Sequence, residues 1–165
     1  MNRYTRIDTP IGRLLAVSID GRLAGLYFDG KPHAPKPRAD WKEDRDAKPF
    51  AECARQIGEY LDGKRSTFDL PLAAAGTAFQ QRVWREIARI PFGKTITYAE
   101  LARRAGAPGS ARAAGAATGR NPLSIVVPCH RVVGSAGSLT GYAGGIDRKA
   151  RLIALETQGA LALAA

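Results

Sequence analysis

The stretch Asn121-Pro122-Leu123-Ser124-Ile125-Val126-Val127-Pro128-Cys129-His130-Arg131-Val132-Val133 is the segment from which the rest of the chain is read. An apolar, strand-like run enters a Pro-Cys-His-Arg tetrad and leaves through two valines. Pro128 fixes its own φ and biases Val127 towards extended geometry, so the approach to the sulfur is stiff. Most free cysteines are buried small hydrophobes. Cys129 differs in its neighbour: a thiol held in place beside an imidazole is a candidate nucleophile.

Upstream, the chain reads as helices. Thr77 can N-cap a helix carrying Phe79, Val83, Trp84 and Ile87 that ends before Pro91-Phe92-Gly93. Thr97-Tyr98-Ala99-Glu100 has the form of a capping box, Thr97 accepting from a first-turn amide and Glu100 reaching back. It opens a short helix to Ala105. Gly106-Ala107-Pro108-Gly109 then turns into a second helix, Ser110 to Gly119, which together make a helix-turn-helix pattern. The second helix is nearly bare, with Arg112 and Arg120 its only long side chains. Two readings stand: tight packing of a buried helix, or entry into a narrow groove of DNA.

Downstream, residues 134–145 form a Gly-rich loop with one aromatic, Tyr142, suited to cradling phosphate or approaching a flat ligand. A last helix is expected from Asp147, as N-cap, to Gln158. Its inward stripe is read as Ile146, Ala150, Ile153 and Thr157, with Glu156 beside it; a carboxylate set among apolar residues needs a partner. The tail from Ala160 reads as loose.

The N-terminal part has another texture. Tyr4-Thr5-Arg6-Ile7, Leu14 to Ile19 and Leu23 to Phe28 read as strands, with Asp20-Gly21 as a hairpin turn, giving a small antiparallel sheet. Residues 29–48 read as a loop with His33 solvated. Phe50, Cys53, Ile57 and Leu61 recur at helical spacing over Pro49 to Leu61, which places Cys53 in the core and makes it inert. Asp62-Gly63-Lys64 stops that helix. Thr67 to Leu72 reads as a final strand, and Ala73-Ala74-Ala75-Gly76 as a boundary between two parts.

A chain of 165 residues can bury roughly 70% of its unfolded surface, enough for one sizeable core or two small ones. No run approaches the roughly 20 apolar residues of a membrane span, and the first residues lack a signal peptide's apolar core. Two cysteines in unlike contexts offer no disulfide framework, so a reducing, cytoplasmic setting is expected. Charge is one-sided. Residues 1–75 hold 13 basic and 11 acidic side chains, residues 76–165 hold 12 and 4, and five arginines but no acid lie between Glu100 and Asp147. Such a face suggests a polyanion partner without separating DNA from RNA or an anionic membrane.

Tyr98, Arg112, Gly119-Arg120-Asn121-Pro122, Val127-Pro128-Cys129-His130-Arg131-Val132-Val133, Gly141-Tyr142-Ala143-Gly144-Gly145 and Glu156 together resemble the O6-alkylguanine-DNA alkyltransferases, also called methylated-DNA–protein-cysteine methyltransferases. The resemblance is close over residues 77–158 and architectural before them. It implies an α+β chain of two domains. Residues 1–76 would be a ribonuclease-H-like supporting domain, a small antiparallel sheet with a helix. Residues 77–165 would be a mainly helical, winged-helix-like domain, containing the helix-turn-helix, that binds DNA and transfers the alkyl group.

The implied activity is DNA repair by direct damage reversal. An alkyl group passes irreversibly, once per molecule, from O6-alkylguanine (less so O4-alkylthymine) in duplex DNA to Cys129. Double-stranded DNA would be held through its minor groove, with little sequence preference, while the damaged base is flipped out; a badly paired base costs least to flip. By the same resemblance His130 is the base for Cys129, through a water, and Glu156 orients the imidazole. Tyr98 crowds the rotating phosphate and hydrogen-bonds the base, and Asn121 ties the recognition helix to the active-site segment. Arg112 fills the space left in the stack, Tyr142 stacks on the flipped ring, Ser135 and Gly144 line the pocket, and Lys149 supports the cysteine loop. No cofactor, metal or membrane is implied; the chain would act as a monomer, with cooperativity along DNA left open.

Ser124 and Ala143 depart from relatives that carry a pocket-walling proline and a serine there. The alternative is a DNA-binding alkylation sensor without transferase activity, against which the presence of Cys129 stands. A cysteine hydrolase built on Cys129, His130 and Glu156 would leave the helix-turn-helix and the basic half unexplained. A transcription factor's reading helix should offer Asn, Gln or Arg to major-groove edges, and this one offers almost none.

Overall fold

The computed structural model describes residues 2–164, with side-chain surroundings as far as residue 159. The chain divides into two compact units. One holds the chain up to Ala75 together with Pro122–Ser124, the other Gly76–Asn121 and the chain from Ile125 on. The fold class is α+β, a small sheet followed by mostly helical chain, as the sequence pattern predicts.

In the first unit, β1 (Asn2–Thr9), β2 (Gly12–Ile19) and β3 (Arg22–Phe28) form an antiparallel meander. β2 is central, and Leu14, Leu15, Ala16 and Val17 are all buried, as a strand covered on both faces requires. A fourth strand, β4 (Lys42–Glu43), lies within the expected loop and pairs parallel to β1. The sheet is therefore mixed, in the order β3-β2-β1-β4. Two residues without apolar alternation leave no periodicity to detect. Helix α1 (Phe50–Leu61) buries Phe50, Cys53, Gln56, Ile57 and Tyr60; of the expected stripe, Leu61 is only half-buried and Tyr60 takes its place.

Thr67 to Leu72 does not form a strand. Only Leu23 and Leu72 make a bridge, with Leu23 N donating to Pro71 O at 2.8 Å and Ala73 N to Leu23 O at 2.9 Å. Pro71 has no N–H to extend the ladder. The segment is held instead by the buried Gln56 amide, which accepts from Asp69 N at 2.8 Å and donates to Asp69 O at 2.9 Å. Pro122–Ser124 belong here through a similar pair: Leu26 N donates to Pro122 O at 2.7 Å, and Ser124 N to Leu26 O at 2.9 Å.

In the second unit, α2 (Ala78–Ala88) begins at a complete capping box, Thr77 Oγ1 accepting from Gln80 N while Thr77 N donates to the Gln80 side chain. The strands β5 (Ile96–Thr97) and β6 (Val132–Val133) pair parallel, Ile96 opposite Val132 and Thr97 opposite Val133. That pairing sets the start of α3 (Tyr98–Arg104) next to the Cys129–Arg131 segment. Thr97 caps α3 by accepting from Glu100 N, but the reciprocal half of the expected box is missing: the Glu100 carboxylate pairs with Arg103 and Arg104. Two arginines outbid one backbone amide for a carboxylate.

Gly106 and Gly109, both at positive φ, make the turn into α4 (Ala111–Gly119). One face of this bare helix is packed and the other is open. Ala114, Ala117 and Thr118 are buried, with Trp84 Nε1 donating to Ala117 O at 2.8 Å, whereas Arg112, Ala113, Ala116 and Arg120 are exposed. Helix α5 runs Ile146–Ala164, one residue earlier than expected and on through the tail read as loose; Ala165 lies outside the described residues. Its inward face is also not the expected one. Ile146 is 51% exposed and Thr157 is exposed, while Lys149, Leu152 and Glu156 are buried. No helix among the described residues is long and apolar enough to cross a membrane.

Candidate active site

The segment read as a strand before Cys129 is a series of turns. Pro122 and Pro128 lack N–H groups, and Ile125 takes a φ of 72°, a left-handed conformation that turns the chain out of extension. Asn121 braces these turns, its Nδ2 donating to Val127 O at 2.9 Å. The chain then enters a single 3₁₀ turn, Cys129–Arg131, in which all three side chains are buried.

Cys129 is 4% exposed. Burial pushes its thiol up, opposed by the Asn121 amide, the Lys149 charge and the turn's own backbone N–H groups. The resting thiol is protonated. His130 sits beside it at 0% exposure, its Nε2 2.7 Å from Glu156 Oε2. Burial lowers the imidazole, against the raising effect of Glu156, and the Arg131 and Lys149 charges lower it further. His130 is therefore neutral, with Nε2 carrying the proton that faces the carboxylate. Among the described residues its Nδ1 is buried and has no hydrogen-bond partner, leaving a lone pair available.

Lys149 is wholly buried, and its Nζ donates to Thr140 O at 2.9 Å and Gly141 O at 3.4 Å, with Tyr98 Oη at 3.5 Å. Burial lowers this amine, and the Cys129 charge acts the other way. The Tyr98 hydroxyl donates to Thr140 O at 3.2 Å and is pushed up by burial, then by Cys129. A cation and a phenol thus meet on the loop that follows the thiol. This arrangement suits stabilising a thiolate formed on demand rather than at rest.

Comparison with known proteins places these residues in a family. The ribonuclease-like domain of 6-O-methylguanine DNA methyltransferase matches residues 2–74, and the DNA binding domain of the same protein matches residues 78–158. The methylated-DNA–protein-cysteine methyltransferase of Mycolicibacterium paratuberculosis is 47% identical over 156 residues, 94% of this chain and 93% of that one. The chain belongs to the 6-O-methylguanine DNA methyltransferase family. The constitutive methylated-DNA–protein-cysteine methyltransferase of Bacillus subtilis is 41% identical over 163 residues, covering 94% of this chain and 96% of that one. The crystal structure of Mycobacterium tuberculosis OGT in complex with DNA superposes with a TM-score of 0.88 at 43% identity, covering 95% of this chain and 94% of that chain.

In this methyltransferase-family chain the fold gathers Cys129, His130, Glu156, Asn121, Lys149 and Tyr98. Tyr142 adds its ring, 6.5 Å from the His130 ring and edge-on. Gly144 is buried, its carbonyl accepting from Arg148 at 3.0 Å. Ser135 and Arg112 are exposed, and neither side chain hydrogen-bonds to this cluster among the described residues. Sequence reasoning missed Arg131, counted there with the surface charges. It is buried and donates to both Glu156 oxygens, Nε to Oε1 at 2.7 Å and Nη2 to Oε2 at 2.9 Å, and through Nη1 to Ile90 O at 2.6 Å. The available signal was Glu156 itself: a carboxylate set among apolar residues needs a buried partner.

Proposed function

We propose that this protein repairs alkylated DNA by direct reversal, moving one alkyl group from O6 of guanine, and less readily from O4 of thymine, onto Cys129. The observation that carries the reading is a buried thiol next to a buried imidazole whose Nε2 lies 2.7 Å from a carboxylate. It stands in a chain 47% identical to a methylated-DNA–protein-cysteine methyltransferase. Because Cys129 is buried, the alkylated base must leave the duplex to reach it.

The thiol proton passes through a water to His130 Nδ1, and Glu156 stabilises the imidazolium that forms. A sulfur lone pair makes the new S–C bond as the C–O6 bond breaks. The electron pair of that bond goes to guanine O6, and guanine regains one proton. The thioether has no leaving group for water to displace, so each molecule acts once and needs no cofactor. Lys149 and the Asn121 amide favour the anionic sulfur during transfer. Tyr98 hydrogen-bonds the entering base, Tyr142 stacks on it, and Ser135 and Gly144 line its pocket.

Residues 77–165 act as the DNA-binding and transfer domain and residues 1–76 as its support; the compact units change one residue earlier, after Ala75, and Pro122–Ser124 fall in the first. The bare face of α4 enters the minor groove, with Arg112 filling the gap in the stack. With no long polar side chains but arginine on that face, binding has little sequence preference, and a monomer suffices. A reducing, cytoplasmic setting keeps the thiol free.

The test is intact-protein mass spectrometry after incubation with a duplex containing one O6-methylguanine. A single methyl adduct that maps to Cys129 and is lost in Cys129→Ser is expected. No adduct, an adduct on Cys53, or more than one guanine restored per molecule overturns the reading.

A further inference from the structure

Glu156 meets both His130 and Arg131 with one carboxylate. Its Oε2 lies 2.7 Å from His130 Nε2 and also accepts from Arg131 Nη2, while Oε1 accepts from Arg131 Nε. All three side chains are buried. The guanidinium is fixed from behind by Ile90 O and lies 5.8 Å over the Phe92 ring, so it cannot swing away without leaving a buried donor unmet.

We propose that Arg131 is a positioning residue for alkyl transfer: its two-pronged grip on Glu156 keeps His130 neutral and its Nδ1 able to accept the Cys129 proton. Burial is the largest cause that holds the imidazole down, and the balance of charges in the dry site decides how much of that Glu156 undoes. A buried carboxylate facing an imidazole alone favours imidazolium, because an opposite charge at this range shifts a titration by about 1–3 units. An imidazolium cannot accept a proton. With the carboxylate already neutralised by a guanidinium, it orients the ring without charging it. The grip also fixes the tautomer, since both Glu156 oxygens face donors and Nε2 must be one of them.

The other groups around the imidazole do not replace this effect. Lys149, from α5, opposes charging of His130 but is committed to the Thr140 and Gly141 carbonyls. Cys129 is a protonated thiol at rest, and Tyr98 and Tyr142 bring only phenols. Arg131 pairs directly with Glu156 through two donors.

The inference rests on the alkyl-transfer reading, but its main test needs no DNA. The chain has two histidines, and the exposed His33 serves as an internal reference for NMR titration of His130. In Arg131→Met the His130 midpoint should rise by about 1–3 units. In the double variant Arg131→Met/Glu156→Gln it should fall back, and in Arg131→Lys it should lie between. Single-turnover repair by Arg131→Met should lose its rate on the acid side, about 10-fold for each unit of that rise, and recover as pH is raised. A midpoint unmoved in Arg131→Met, or a uniform loss of rate at every pH, overturns the inference. If Arg131→Met does not fold, Arg131→Lys against Glu156→Gln gives the same contrast. A titration that behaves as expected in a chain that takes no methyl from DNA would sink the proposed function and leave the charge relation standing.

Discussion

His130 sets the pH range over which Cys129 can react. Its imidazole lies below the ordinary 6.5, burial being the largest cause. The acid limb of single-turnover repair should therefore fall below pH 6.5, measured by product formation between about pH 5 and 8. A limb at or above 6.5 would mean that Glu156 outweighs burial. Stability follows the same proton. The folded chain binds it more weakly than the unfolded one, so as pH falls below 6.5 the unfolded state is favoured and stability drops. Cys129 acts in the opposite direction: burial holds its thiol up, so the unfolded chain loses that proton first and stability falls in alkali. Cys53 is pushed up to about 12 by burial alone, with no charged neighbour among the described residues to draw its proton away. Two buried cysteines thus differ in neighbours rather than in exposure, and the adjacency of Cys129 and His130 was plain in the sequence. Arg131 was not, because an arginine beside a thiol looks like any other surface charge until the 3₁₀ turn points it inward.

At the scale of elements, α4 is tied to α2 by an indole. Trp84 Nε1 donates to Ala117 O in the last turn of that helix, at 2.8 Å and fully buried. Trp84→Phe removes the shorter of two hydrogen bonds to that carbonyl, which also accepts from Arg120 N at 3.2 Å, at a cost of about 0.5–1.5 kcal/mol, read as a lower denaturation midpoint with unchanged slope. A loss below about 0.5 kcal/mol would mean water replaces the indole. The helices themselves were legible, since Thr77, Thr97, Gly106 and Gly109 mark where they start and turn. The inward face of α5 was not. An apolar stripe at Ile146, Ala150 and Ile153 competes with a polar one at Lys149 and Glu156, and hydrophobicity alone favours the first. The second wins because each buried charge finds partners: carbonyls for Lys149, a guanidinium for Glu156. The missed β4 and the segment Thr67 to Leu72 fail for another reason. One is too short to show alternation, and the other is held by the Gln56 side chain where a ladder was expected.

Across the whole molecule, net charge overstates what is offered to DNA. Of the five arginines between Glu100 and Asp147, Arg103 and Arg104 share Glu100, and Arg131 is buried on Glu156. Arg112 and Arg120 remain, exposed and without an ion pair among the described residues, on the bare face of α4. Each phosphate neutralised contributes about 0.9 to the slope of log affinity against log salt. Arg120→Ala should therefore make the slope shallower by about 0.9, as measured by fluorescence anisotropy on an undamaged duplex. Arg131→Met should leave the slope unchanged while altering repair. Arg112→Ala should slow repair more than it weakens binding, because filling a vacated stack matters only when a base has left it. If Arg131→Met flattened the slope as much as Arg120→Ala, the buried pair with Glu156 would have to open on DNA, and His130 would be left facing an uncompensated carboxylate at the moment it must accept a proton.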